Sequence, residues 1–142
     1  MTDDSNLQRL TELTVREAAD AKLREEISAA VIELSPDGIV IADQDGNIFM
    51  VNREAELLFG YSRKELYGQP VEILLPERVR DTHISHRRTY LEEPRPRAMG
   101  LNLPLMGKRR DSSEFAAEIS ISPVPTERGL FTVATVRRKR AR

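Results

Sequence analysis

An Asp45-Gly46 pair stands between two short branched apolar runs, Ile39-Val40-Ile41 and Ile48-Phe49-Met50-Val51. Asp-Gly between such runs is the strongest short-range hairpin signal, because glycine reaches the positive φ that a tight turn needs. The spacing therefore predicts two antiparallel strands, Gly38 to Asp43 and Ile48 to Val51, which excludes an all-helical fold. Asn52 then offers an N-cap to a short helix through Phe59, with Ala55, Leu58 and Phe59 inward and Gly60 as the stop.

Ser62-x-x-Glu65 is a capping box for one further helical turn before Gly68 and Pro70. Val71 to Leu75 reads as an apolar stretch. Pro76-Glu77 opens a longer helix to about Leu91, since proline suits a first helical position and an acid suits the N-terminal dipole. Its expected inner residues are Val79, His83, Arg87 through its stem, and Tyr90; Pro94 and Pro96 prevent continuation.

Strand signals return afterwards. Met99 to Met106 alternates weakly, and Gly107 to Ser113 reads as a solvated, charged turn. Phe115, Ala117, Ile119 and Ile121 share one strand face opposite Glu118 and Ser120. Pro123 to Gly129 reads as a loop and Leu130 to Val136 as the last strand. Two strands, several short helices, then three strands specify an α+β fold with helices gathered on one side of a sheet.

Upstream, residues 5 to about 30 contain neither Pro nor Gly and read as one amphipathic helix, with Ser5 and Gln8 as a capping-box pair. Leu7, Leu10 and Leu13 line its early face, followed by Ala19, Leu23, Ile27, Ala30 and Leu34 at helical spacing. Glu17 and Asp20 interrupt a clean heptad. Such a helix either packs on its own domain or pairs with a second copy. The reading adopted is pairing, through Leu7, Leu10, Leu13, Leu23 and Ile27. Ser35-Pro36-Asp37-Gly38 ends the segment with turn chemistry. The organisation expected is a helix over 1–30, a domain over 31–137 and a basic tail over 138–142.

The 142 residues suit one domain. With no cysteine, there is no disulfide, thiolate metal site or cysteine nucleophile. No apolar run approaches the roughly 18 residues that span a bilayer, and the first ten residues are polar, so the expected location is the cytoplasm. A net charge of −1 gives no global field toward nucleic acid, although five of the residues Arg137 to Arg142 are basic. The seven glycines form no phosphate-cradling loop. Ser85, His83 and His86 crowd one helix, a poor geometry for a catalytic triad. Asp43 and Asp45 read as turn caps, and a His83/His86 metal pair lacks a third ligand. The expectation is a non-enzyme without a metal site.

Together these residues resemble the PAS sensor domains, over roughly residues 27 to 137. The resemblance is carried by Asp37-Gly-Ile-Val-Ile-Ala-Asp43, Asp45-Gly-Asn-Ile48, Val51-Asn52, Ala55-Glu-Leu-Leu-Phe-Gly-Tyr61, Glu65-Leu-Tyr-Gly68, Leu74-Leu-Pro76, Gly107-Lys-Arg-Arg-Asp111, Phe115 and Glu118-Ile-Ser-Ile121. It implies a five-stranded antiparallel sheet with helices over one face, a pocket between them, and a leading helix that dimerises. A sequence with only 5% aromatics and no Trp leaves room for a small apolar ligand there.

Pro76 to Gly107 is similar to the haem-binding branch of oxygen-sensing kinases. That likeness implies haem b with iron on His83 and the ring faced by Leu101, Leu103, Ile119 and Ile121. Leu103 stands where that branch has its gas-responsive arginine. The flavin branch requires a cysteine that this chain lacks. The family's Asp-x-Thr connector is also missing after the last strand, so signalling is expected to run through a downstream partner protein. The reading adopted is a homodimeric sensory and protein-interaction module with no resident cofactor. One alternative is a haem gas sensor through His83. The other is a nucleic-acid adaptor using the basic tail.

Overall fold

The structure, a computed structural model, describes residues 3–99 and 105–139. The chain divides into two units, residues 1–33 and 34–142. The first is one helix, α1 (Asp3–Leu34), longer at both ends than the sequence predicts. Ser5 thus lies inside the helix and not at its cap. Thr11 and Thr14 return their hydroxyls to the carbonyls of Leu7 and Leu10, the mid-helix alternative to capping.

The second unit is built on an antiparallel sheet. Strands β1 (Gly38–Ala42) and β2 (Ile48–Val51) form the expected hairpin, with Ile41 opposite Met50. Its loop closes through Asp43 N–H to Asn47 O at 2.9 Å and Gly46 N–H to Asp43 O at 3.0 Å. The Asp43 carboxylate accepts from the N–H groups of Asp45 and Asn47, so it caps the turn as predicted.

Helix α2 (Arg53–Phe59) starts at Asn52, whose Oδ1 accepts from Ala55 N–H, and ends at left-handed Gly60. Helix α3 (Arg63–Leu66) carries the Ser62–Glu65 capping box. A 3₁₀ turn (Val71–Leu74) and helix α4 (Glu77–Glu92) follow. Val79 proves exposed, whereas Tyr90 is buried and His83 and Arg87 are partly so.

Strands β3 (Arg97–Met99) and β4 (Leu105–Lys108) both pair with β5 (Glu114–Thr126), on the edge away from β6 (Gly129–Arg138). They follow one another along that edge, so the sheet is five strands wide in the order β2-β1-β6-β5-β3. The expected strand over 99–106 is thus two pieces, and residues 100–104 lie outside the described ones.

Pro123 to Gly129 is not a loop. Strand β5 runs on through Pro123 and Pro125, paired with Thr132 and Leu130, and only Glu127-Arg128 turn. Strand β3 reaches only Ile119–Ile121, so the outer edge of β5 is open beyond that point. A proline on an open edge removes no ladder bond, which is why the strand tolerates both.

The core lies on the helix side of the sheet. Val40 and Val136 from the sheet, Ala55 and Phe59 from α2, Leu66 from α3 and Phe115 from β5 pack together with Leu74. Phe59 and Phe115 meet with ring centroids 5.4 Å apart. Asn52 is fully buried among them. Its amide donates to Asp37 O at 3.0 Å and accepts from Ile39 N–H at 2.8 Å, tying β1 to α2. The 109–111 turn is docked as well as charged: Arg110 N–H donates to Phe59 O and its guanidinium pairs with Glu65, while Arg109 lies 4.6 Å from the Phe115 ring centre.

Candidate functional site

The helix-side face of β1, β6 and β5 presents small and branched side chains at Val40, Ala42, Ala134 and Ile121. Strand alternation sends every second residue to this side, and two of these four are alanines. Helix α4 crosses above with His83, Arg87 and Tyr90 pointing down. A cavity of about 80 Å³ remains between them, with Val71 and Leu91 also in its lining. By the ~10–15 Å³ that one water occupies, this space holds several waters or one small molecule.

Above the cavity sits a buried cluster that sequence reading missed. Glu72, on the 3₁₀ turn, is only 4% exposed. Its Oε1 accepts from Arg87 Nη2 at 2.8 Å, and its Oε2 lies 3.5 Å from His83 Nδ1. That second approach makes no hydrogen bond, and Oε2, Nδ1 and Arg87 Nε have no hydrogen-bond partner. Burial holds the His83 imidazole below its ordinary pKa; Arg87 and His86 push the same way, and Glu72 pulls against them. His83 is therefore neutral near pH 7.

The Arg87 guanidinium also lies flat against Gly46 of the hairpin, so close that a Cβ there would overlap its central carbon. The hairpin and the 3₁₀ turn are joined in turn by Val71 N–H to Gly46 O at 2.9 Å. Arg87 thus fastens α4 to the 3₁₀ turn and the hairpin together. Near its start, α4 is held by Arg80 Nε to Leu75 O and by the Arg78–Glu114 pair.

Of the residues expected to face a ligand, Ile121 lines the cavity and Ile119 packs against the core. Leu101 and Leu103 lie outside the described residues. Leu7, Leu10, Leu13, Leu23 and Ile27 are all exposed on α1. Arg137 does not belong to a free tail: it lies in β6, and its guanidinium pairs with Asp37 at 3.0 Å. No group of three His, Cys, Asp or Glu that could hold a metal occurs among the described residues, and no described helix is long and apolar enough to cross a membrane.

Haem at His83 meets a mixed answer. An imidazole turned by one nitrogen toward a carboxylate is how metal-bound histidines are oriented. The volume is the obstacle, because small-molecule and cofactor pockets occupy about 300–1,000 Å³. The cavity bounded by the described residues is about 80 Å³, and Leu101 and Leu103, expected on its haem-facing wall, lie outside them.

Comparison with known proteins places these features. Sensor protein FixL of Bradyrhizobium diazoefficiens is 35% identical over 100 residues, covering 70% of this chain and 20% of the relative. Oxygen sensor protein DosP of Escherichia coli is 27% identical over 106 residues, covering 75% of this chain and 13% of the relative. The chain thus spans a fifth or less of these two relatives. The PAS domain of a protein from Colwellia psychrerythraea superposes with a TM-score of 0.70 at 22% identity, covering 80% of this chain and 95% of that one. A family model for the PAS fold matches residues 26–138. Hairpin, short helices, long α4 and five-strand sheet follow one another as that fold requires, and the chain belongs to the PAS family of sensory domains.

Proposed function

We propose that this chain is the sensory and dimerisation module of a cytoplasmic signal-transduction protein. It reads the occupancy of the cavity beneath α4, and it passes that state to a downstream protein through helix packing. The observation that carries the reading is the placement of α4 over an apolar cavity, fastened by one buried charge cluster. The reading requires a second packing of α4 in which the ion pair is displaced, so that a ligand favouring one of the two shifts the population.

The ligand class that suits the cavity is a small apolar molecule with one polar group. Val40, Ala134 and Ile121 would cover its body, and the neutral His83 imidazole would meet the polar end. No catalytic step belongs to this reading, and haem plays no part in it. In this division of the chain, α1 is the dimerisation segment, residues 35–138 the sensory body, whose last strand takes in Arg138, and the residues after it a short basic end.

Two measurements test it. Mass spectrometry of molecules copurifying with the native protein should find a small ligand that Ala134→Leu, by filling the cavity, removes. Sedimentation should give a dimer that becomes monomeric when residues 1–26 are deleted. An unchanged dimer after that deletion contradicts the role given to α1.

A further inference from the structure

Helix α1 carries a seven-residue repeat with alternating steps of three and four. Its core positions are Leu10, Leu13, Glu17, Asp20, Arg24, Ile27, Val31 and Leu34. The two ends of this stripe are apolar, and its middle holds two acids and then a base. Residues 4–31 are all exposed, Leu10 and Val31 by more than half. A lone helix gains little from propensity, so a stripe of this kind calls for a partner.

The order of the charges decides which way a second copy lies. In a parallel pair each core residue meets its own counterpart: Glu17 on Glu17, Asp20 on Asp20, Arg24 on Arg24. Those are three consecutive like-charged layers in the centre of the seam. Like charges placed opposite one another discriminate strongly against an arrangement.

We propose that two copies of α1 pair antiparallel, about a two-fold axis near residue 22. This deepens the dimer reading above and rests on it. In that register Leu10 meets Leu34 of the second copy and Leu13 meets Val31. Asp20 meets Arg24, and symmetry makes this pair twice. Glu17 falls beside Ile27, its stem on the isoleucine and its carboxylate within one turn of Arg24 from the other copy. Leu23, one residue from the axis, falls level with Ala21 of the second copy. The charged middle that spoils a parallel coiled coil therefore selects the antiparallel one. The occupant of the stripe is a second copy of this chain.

The absence of cysteine makes the test clean, because an introduced thiol is the only one present. Leu13→Cys and Val31→Cys chains are mixed under mild oxidation. The antiparallel pair predicts a disulfide between the two different variants and none within Leu13→Cys alone. Positions 13 and 31 stand ~27 Å apart along a helix that rises about 1.5 Å per residue, so two thiols at position 13 lie far out of bonding range. Leu13→Cys homodimers in place of the mixed product would overturn the orientation while leaving the dimer reading intact. A monomer by sedimentation before oxidation would overturn the dimer reading itself. As a second readout, Arg24→Glu should weaken self-association by about tenfold, because it turns both Asp20–Arg24 layers into repulsions. In a parallel pair it exchanges one like-charged layer for another, so an unchanged dissociation constant contradicts the proposal.

Discussion

Arg87 Nη2 donates to Glu72 Oε1 at 2.8 Å, and it does so where the carboxylate has almost no contact with solvent. This pair joins α4 to the 3₁₀ turn above the cavity. A buried pair adds little net stability over an apolar replacement, but breaking one partner away leaves an uncompensated charge.

Arg87→Leu should therefore destabilise the domain by about 3 kcal/mol, at the lower end for a broken buried pair because Arg87 is partly solvated. Glu72→Leu combined with Arg87→Leu should cost less than Arg87→Leu alone. Urea unfolding of the two single variants and the double variant measures this. Additive losses would show that the two residues act independently.

Gly46 tests the same contact from the hairpin side. Both Gly46 and Gly68 have φ near +80°, but only Gly46 has a neighbour in the way, the Arg87 guanidinium. Gly68→Ala should cost about 1 kcal/mol for the left-handed backbone alone. Gly46→Ala should cost about 2 kcal/mol or more, since it also displaces a pinned guanidinium. In an Arg87→Ala background the two glycine substitutions should become equal. A persistent difference would place the obstruction elsewhere.

His83 gives the domain a pH dependence of definite sign. Its folded-state pKa lies below the unfolded value of about 6.5, so the unfolded chain takes up the proton first on acidification. Its contribution is complete above that value and is lost as the pH falls toward the folded pKa. Thermal melts at pH 7.5 and 5.5 should show a drop that His83→Gln reduces. A wild-type protein that gains stability on acidification from His83 would reverse the burial argument. Haem b added to the purified protein separates the two pocket readings: the small-ligand reading expects no Soret band that depends on His83, and such a band would support the haem alternative.

Asn52 is a fully buried polar anchor that makes three hydrogen bonds to backbone groups of β1, α2 and the turn before β1. Asn52→Ala removes an N-cap and leaves Ile39 N–H and Asp37 O without their buried partner, a loss of about 3 kcal/mol. Asn52→Asp keeps the acceptor and loses the bond to Asp37 O, and it should fall between the two. Denaturant midpoints check the order.

Local chemistry explains which features are legible in the sequence. The Asp45-Gly46 turn, the Asn52 cap, the Ser62–Glu65 box and the Gly60 stop each depend on neighbours within a few residues, and all appear as read. Glu72 escapes notice because it sits in an otherwise apolar stretch. Only the fold brings Arg87, fifteen residues further on, against it. Pro123 and Pro125 mislead for a similar reason, since the open edge that tolerates them is set by how short β3 is. Arg110 reads as solvated because its partners, Phe59 and Glu65, are some fifty residues away in sequence.

The cavity under α4 is, on this account, where the domain senses. The most direct measurement is a methyl NMR titration of the full chain with a set of small apolar alcohols and amides. Sensing there predicts saturable shifts at the Val40, Val71, Leu91 and Ile121 methyls, with accompanying change along α4, all abolished by Ala134→Leu. Shifts confined to other surfaces, or binding that survives Ala134→Leu unchanged, would contradict it.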